Sequence, residues 1–494
     1  MQNAMLRPSA RKRNTPLFTL ACCATLAAYG LPAHGQASPS RNPPDLPGSQ
    51  DRKPQSSESR ISSGMAALPQ CALAEHWDPT MRMCAADGGA AKHRDTAGGA
   101  SDHQETTLPS PGQAVTQAAS SSPPSDGSMD TSMHMPSGAM KPKATLMLHI
   151  NQFMVGSSTS GPRGQSRLTG PGTWMLTYDN DLTSSNHLSI NIMGSPEQLT
   201  VGDKGTPQLF QTDHIDNFHA HDTIMAFEFR DAVALGAGGK QRLTLLFAPR
   251  GEAAVGPVPF MHRESAEGNP DAPLGHALQD GFHDVSTVFG LEYEIAQTTV
   301  EVTGFSGQTI TWPFPLHDPD SYAVRLSQKI SDHVRVGASY ADALLPNDSG
   351  GAEHNQFIAG WLTTSNQIRG GSLKSAFVWG STRASHGPFL NSFLEEAVYQ
   401  QGGNNFYGRV EALQLTPSQL ALVTNDGSDV ERWVGAFTVG YERALYEKRE
   451  LSLFVGGSYT KDISPGAFRP AYGSDQQGVK IYLRVKFMKS GAVL

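Results

Sequence analysis

The sequence predicts a transmembrane antiparallel β-barrel of about 16 strands (14–16) preceded by a disordered leader, and three observations predict it. After Ala144, short segments carry an apolar or aromatic residue at every second position; the connections between them alternate between long and tight; and the last segment, ending at Phe487, is apolar on one side and cationic on the other. A period of two marks a strand whose two faces meet different surroundings.

At the start of the chain, Arg7, Arg11, Lys12 and Arg13 precede an uncharged stretch from Pro16 to Leu31 and the small-residue signal Ala33-His34-Gly35. That order reads as a cleaved secretory signal peptide over residues 1–35, too short and wrongly flanked for a spanning helix. A lipoprotein alternative needs Cys22 or Cys23 as the acylated residue, and Thr19-Leu20-Ala21 before them fit it poorly. Removing residues 1–35 takes away four positive charges and no acidic ones, so the formal charge moves from −8 to −12. An acidic mature chain has no basic footprint, and no nucleic-acid partner is expected. Only Cys71 and Cys84 then remain. An even pair in an exported chain suggests one disulfide, and without a C-x-x-C a zinc site lacks ligands at short spacing.

Residues 36–143 are rich in Ser, Pro, Gly, Ala and charge. Such a segment buries too little apolar surface to offset its ordering entropy, so a disordered periplasmic leader is expected. The Cys71–Cys84 stretch stands apart as a small loop carrying His76, Met81 and Met83; a second cluster holds Met129, Met133, His134, Met135 and Met140. Thioether sulfur is a soft ligand that selects Cu(I), and a flexible chain captures it without a preformed site. The bland alternative is that a disordered leader contains these methionines by accident.

From 144 to 487 the alternation is explicit. Trp433, Phe437, Val439 and Tyr441 alternate with Val434, Ala436, Thr438 and Glu442, and Phe406, Val410 and Ala412 with Tyr407, Arg409 and Glu411. Strands are expected near 145–154, 173–179, 187–194, 223–230, 241–248, 286–294, 298–305, 321–330, 333–341, 354–363, 373–381, 392–401, 404–414, 432–444, 450–460 and 477–487. The linkers 155–172, 195–222, 249–285 and 306–320 are long, whereas Ala296-Gln297, Ser331-Asp332 and Gly402-Gly403 are tight. Long loops on one rim, short turns on the other and an even strand count describe an outer-membrane barrel. In the last strand Val479, Ile481, Leu483, Val485 and Phe487 share one side and Lys480, Arg484 and Lys486 the other, leaving 488–494 as a C-terminal tail. After the signal peptide no apolar run reaches the ~18 residues that a spanning helix requires.

Trp174, Trp361, Trp379, Trp433, Tyr441, Tyr459 and Phe487 are candidates for the aromatic girdles, with Trp379 the first to be reassigned to the lumen. Arg325, Lys329, Arg335, Arg409, Glu411, Arg432 and Glu442 point inward, either as a charged constriction or as pairs that fill the lumen.

Histidines concentrate in two long loops. Phe218-His219-Ala220-His221-Asp222 sets two imidazoles on one side of an extended segment. The next loop holds His262, His276, Asp280 and His283, the last three spaced to share a face of a helical turn. Imidazole with carboxylate suits copper or another divalent transition-metal ion; the other reading is that these histidines hydrogen-bond loop backbone. No nucleophile elbow, phosphate loop or zinc-protease helix is present, and a non-enzymatic protein is expected.

Between Lys143 and Phe487 the chain resembles a family of proteobacterial outer-membrane barrels often encoded near copper and heavy-metal resistance systems. The stretches that carry the resemblance include Ser160-Gly161-Pro162-Arg163-Gly164, His219-Ala220-His221-Asp222, Phe247-Ala248-Pro249-Arg250-Gly251-Glu252 and Phe260-Met261-His262-Arg263. Asn269-Pro270-Asp271-Ala272-Pro273-Leu274-Gly275-His276, Asp320-Ser321-Tyr322 and Tyr407-Gly408-Arg409-Val410-Glu411 belong with them, and the Cys71–Cys84 loop resembles a module found ahead of such barrels. The resemblance implies the fold and an outer-membrane location, and it links the chain to metals by association; this leader is poorer in Met-His repeats than many of the family.

The expectation is therefore a barrel that conducts or handles small solutes or metal ions, copper preferred, with both termini in the periplasm. Its partners would be outer-membrane lipid, the barrel-assembly machinery and a periplasmic metal-handling protein. A non-conducting anchor or interaction scaffold is the alternative, and a barrel-embedded hydrolase a more distant one.

Overall fold

The computed structural model describes residues 75–78, 83–86 and 144–493, except 213, 237–239, 308–315, 347–350, 386 and 425–426. Met129, Met133, His134, Met135, Cys71 and the side chain of Cys84 lie outside the described residues, and the signal peptide with them. Within the leader one element is described: Glu75–Asp78 pairs antiparallel with Met83–Ala86, Trp77 opposite Cys84.

The alternating segments after Ala144 close into an antiparallel barrel of sixteen long strands. In chain order these are β1 (Ala144–Thr159), β2 (Gly172–Asp181), β3 (Asn186–Gly194), β4 (Ala226–Leu235), β5 (Gln241–Gly251), β6 (Val285–Ile295), β7 (Thr298–Ser306) and β8 (Ser321–Ser331). They continue as β9 (Val334–Pro346), β10 (Ala352–Ile368), β11 (Gly371–Ala384), β12 (Leu390–Gln401), β13 (Asn404–Leu415), β14 (Arg432–Lys448), β15 (Leu451–Ile463) and β16 (Gln476–Ala492). Each strand pairs with its successor, and β16 pairs with β1 to close the cylinder, Gly478 opposite Thr159 and Ala492 opposite Thr145. Closure leaves no edge, which lets a sheet satisfy its backbone groups inside a bilayer.

All the expected strands are present, and most are longer than read. β16 continues five residues past Phe487, so most of the expected C-terminal tail is barrel wall. A four-residue strand absent from the expected set, Ser166–Thr169, pairs with the far half of β1. Pro171, with no N–H to donate, separates it from β2; Gln152 Nε2 donates to Gly170 O at 2.8 Å across the break.

The two faces divide as the pattern requires. On β14, Trp433, Phe437, Val439 and Tyr441 are 39–45 % exposed, while Val434, Ala436, Thr438 and Glu442 are at most 4 % exposed. The outer row is an exposed apolar band of the kind a bilayer would cover. Trp361 departs from the girdle assignment: it packs with Val378 and Leu394 on the inward side. Trp379, the candidate for the lumen, shares the outward parity of Phe377 and donates from Nε1 to Asn391 Oδ1 at 3.2 Å. Tight turns such as Gly402-Gly403, both at positive φ (55° and 74°), join strands on one rim, as two-residue hairpins favour. Long loops join them on the other. The start of β1 and the end of β16 both lie at the short-turn rim.

Candidate functional site

A bare 16-stranded barrel leaves an aqueous channel. Here the long connection between β5 and β6 turns inward and crosses the lumen. Its residues bond to strands around the wall: Glu252 accepts from Arg325 Nη1 of β8 at 2.7 Å, Ala254 N donates to Thr303 Oγ1 of β7 at 2.9 Å, and Gly256 N to Ser339 Oγ of β9 at 2.8 Å. Farther on, Arg263 Nε donates to Glu396 Oε1 of β12 at 2.6 Å, Tyr482 of β16 donates to Gly268 O at 2.7 Å, and Leu274 N donates to Glu411 Oε1 of β13 at 2.6 Å.

Charges hold this segment. Glu396 also accepts from Arg409 Nε at 3.0 Å and from Ser265 Oγ at 2.9 Å. Asp271 pairs with Lys480, and Glu267 with Lys486 and Arg484. Arg484 Nη1 donates to Glu442 Oε1 at 2.8 Å. Of the inward charges read from sequence, Arg325, Arg409 and Glu442 therefore stand in ion pairs, while Glu411 accepts from the backbone of the segment. Lys329 instead pairs with Asp332 at a short turn, and Arg432 reaches Ser428 in a long loop. The arrangement fills the lumen with mutually paired charge, the second of the two sequence readings.

At the long-loop mouth a second inward loop, between β3 and β4, lies over this segment. Gln208 Nε2 donates to Ala272 O at 2.8 Å, and Leu209, Phe210, Leu274, Leu420, Phe468 and Tyr472 pack there as one buried cluster. Tyr472 donates to Asp216 Oδ1 at 2.7 Å. Toward the short-turn rim the lumen keeps a cavity of about 680 Å³, whose wall runs from Gly370, Gly402 and Gly403 up to Glu197 and His221.

The loop histidines meet between these two loops. Ring centroids are 5.2 Å apart for His219 and His221, 5.4 Å for His221 and His283, and 5.0 Å for His276 and His283, with Phe218 and Phe260 packed among them. Three of the rings donate from Nδ1: His221 to Glu197 Oε2 at 2.8 Å, His276 to Asp280 Oδ1 at 2.6 Å, and His283 to Asp280 O at 3.4 Å. That leaves Nε2 of His221 and of His283 buried with no hydrogen-bond partner. A carboxylate on one ring nitrogen is the way proteins orient imidazole ligands.

Burial pushes the His283 imidazole down to about 3, against the opposing charge of Asp284, so it is neutral near neutral pH. Burial alone would raise the Glu197 carboxyl; the charge and hydrogen bonds of His221 more than offset this and hold it below its usual range.

The carboxylates of the expected ligand set are spent elsewhere. Asp222 Oδ2 accepts from Arg250 Nη2 at 2.6 Å, and Asp280 Oδ2 from Arg263 Nη1 at 2.8 Å. Among the described residues no three of His, Cys, Asp and Glu are arranged to hold a metal ion together. His262 stands apart from the row, its Nε2 2.8 Å from Met193 Sδ. Sequence reasoning missed Glu197, Arg263 and Glu396; only Arg263 carried a signal, its place beside Phe260-Met261-His262.

No protein-family model and no curated protein matches the sequence. Among solved structures the chain is similar to the anion-selective porin from Comamonas acidovorans, at 11 % identity over 70 % of this chain and 100 % of that one, with a TM-score of 0.44. It is also similar to Salmonella typhi OmpF in complex with daunomycin (9 % identity, 69 % and 97 % of the two chains, TM-score 0.44). Pseudomonas putida OprB is a further similar structure (11 % identity, 70 % and 94 %, TM-score 0.43).

Proposed function

We propose that this chain is an outer-membrane conduit closed by its own β5–β6 loop, passing or handling small solutes or metal ions, with copper the preferred cargo. The observation that carries this reading is the lumen-crossing segment. Paired charge anchors it to the wall, an apolar cluster packs above it at the mouth, and a 680 Å³ cavity remains below it. The buried imidazole of His283, neutral and with its Nε2 unpartnered, favours a cation of borderline or soft character over an organic anion.

In outer-membrane barrels short turns lie on the periplasmic side. That orientation puts the cavity, the start of β1 and the leader in the periplasm, where the leader's Met and His residues would exchange copper with a metal-handling partner. Folding would pass through the barrel-assembly machinery, and the apolar outer row would meet outer-membrane lipid.

Planar-bilayer conductance of the full chain tests the reading. A small conductance that rises when the segment's anchors are removed supports a gated conduit. The filled lumen favours one rival, a non-conducting anchor or scaffold, and absence of conductance in both proteins would decide for it. For the leader, a peptide spanning Ser128 to Met140 should bind Cu(I) more tightly than its Met-to-Leu control; equal binding removes the leader from the proposal.

A further inference from the structure

Five of the seven methionines that follow Ala144 meet at one place in the lumen. Met175 of β2 and Met193 of β3 are direct cross-strand partners. Met225 lies just before β4, its N–H donating to Met193 O at 2.8 Å. Met147 of β1 and Met261 of the lumen-crossing segment pack against these three. His262 completes the group through its 2.8 Å contact with Met193 Sδ, a place where a cation would replace the Nε2 proton. Met147, Met261 and His262 also line the 680 Å³ cavity, so the cluster has an approach from it.

Ordinary packing does not account for this segregation. Where the inward surface needs apolar filling elsewhere, the chain uses Leu, Ala, Val and aromatic residues, and none of the other buried apolar clusters contains a methionine. Thioether sulfur differs from those side chains in being polarisable and a soft donor. The donors are all uncharged, which suits a monovalent ion better than a divalent one whose hydration shell is costlier to strip.

We propose that Met147, Met175, Met193, Met225, Met261 and His262 form a binding site for a soft monovalent cation, Cu(I) or Ag(I), within the barrel. Its use in transport rests on the reading of the lumen as a metal route. The site itself is tested by binding rather than conductance, so the two fail separately.

The experiment uses the full chain in detergent, with the leader methionines Met65, Met81, Met83, Met129, Met133, Met135 and Met140 changed to Leu so that the barrel alone reports. Ag(I) is titrated directly, and Cu(I) anaerobically against a competing chelator. One tightly held equivalent that excess Zn(II) does not displace is expected. Met175→Leu with Met193→Leu, which conserves volume, should abolish it. His262→Gln should weaken it by about tenfold or more, since even an outer-shell partner is worth about 10–100-fold. Full retention of Ag(I) by the double variant, or displacement by Zn(II), overturns the site. If the double variant fails to fold, X-ray absorption of the Ag(I)-loaded parent decides: sulfur neighbours support the proposal, and a nitrogen–oxygen shell alone overturns it.

Discussion

Arg263, in the segment that crosses the lumen, donates from Nε to Glu396 Oε1 of β12 at 2.6 Å, and both side chains are almost wholly buried. The same guanidinium holds Asp280 at 2.8 Å, and the same carboxylate accepts from Arg409 at 3.0 Å. One ion pair therefore ties the segment to the wall and to itself.

Breaking a buried pair by removing one partner leaves an uncompensated charge and costs about 3–5 kcal/mol. Because the sixteen strands close without this segment, the loss should appear as undocking of the loop rather than unfolding of the barrel. Glu396→Gln and Arg263→Met should each raise bilayer conductance and expose residues 251–284 to chymotrypsin, while the folded barrel keeps its heat-modified gel mobility. Combining Arg263→Met with Glu396→Leu should open the segment further, since Asp280 and Arg409 then both lose an ion-pair partner.

The two faces of β14 make a second contrast. Val439 lies in the outer row and Thr438 in the inner one, where its Oγ1 is 2.9 Å from Thr460 Oγ1. Val439→Arg should destabilise the barrel in lipid vesicles by about 2–4 kcal/mol, the penalty for a cation facing lipid near the midplane. Thr438→Ser keeps the hydroxyl and should change little. Equal effects in denaturant titration would mean that the outer row does not meet lipid.

That contrast also explains how much the sequence disclosed. Strand faces were legible because alternation is local: each segment states its own period without reference to any other. The end of β16 was not, since Lys489-Ser490-Gly491 breaks the pattern while backbone pairing with β1 continues. Trp361 was misassigned because its inward place depends on Gly337 of the adjacent strand, where a Cβ would fall 2.2 Å from the indole. The histidine loops were visible through their close spacing. Their carboxylate and guanidinium partners were not, and neither was the methionine cluster, whose members come from five elements between residues 147 and 261.

A third prediction concerns Gly440, over which the ring of Tyr407 lies flat enough that an added Cβ would sit 2.0 Å from Cζ. Tyr407 cannot swing away cheaply, because it is buried with its hydroxyl 3.1 Å from that of Tyr482. Gly440→Ala should cost about 1–3 kcal/mol through overpacking. Adding Tyr407→Phe should not rescue it, whereas adding Tyr407→Leu should recover part of the loss in the same denaturant titration.

Acidification should release the lumen-crossing segment in two stages. Burial holds His283 near 3, below its unfolded value of about 6.5. Between those values the undocked chain binds the extra proton, so the stabilisation is complete above about pH 6.5 and is lost progressively as pH falls toward 3. Asp280 and Asp284 are held below the usual carboxylate range against their own burial, Asp280 first by His276 and then by Arg263, and Asp284 first by His283 and then by Arg250. Their contribution is present above about pH 4 and disappears below it. Conductance should therefore begin to rise between pH 6.5 and 5 and steepen below 4. His283→Phe removes the titrating group, and should flatten the first stage and weaken the second, since it also takes away the charge that most lowers Asp284. Hydrogen exchange of residues 251–284 that stays constant from pH 7.5 to 5 in the parent protein would show that this imidazole does not govern docking.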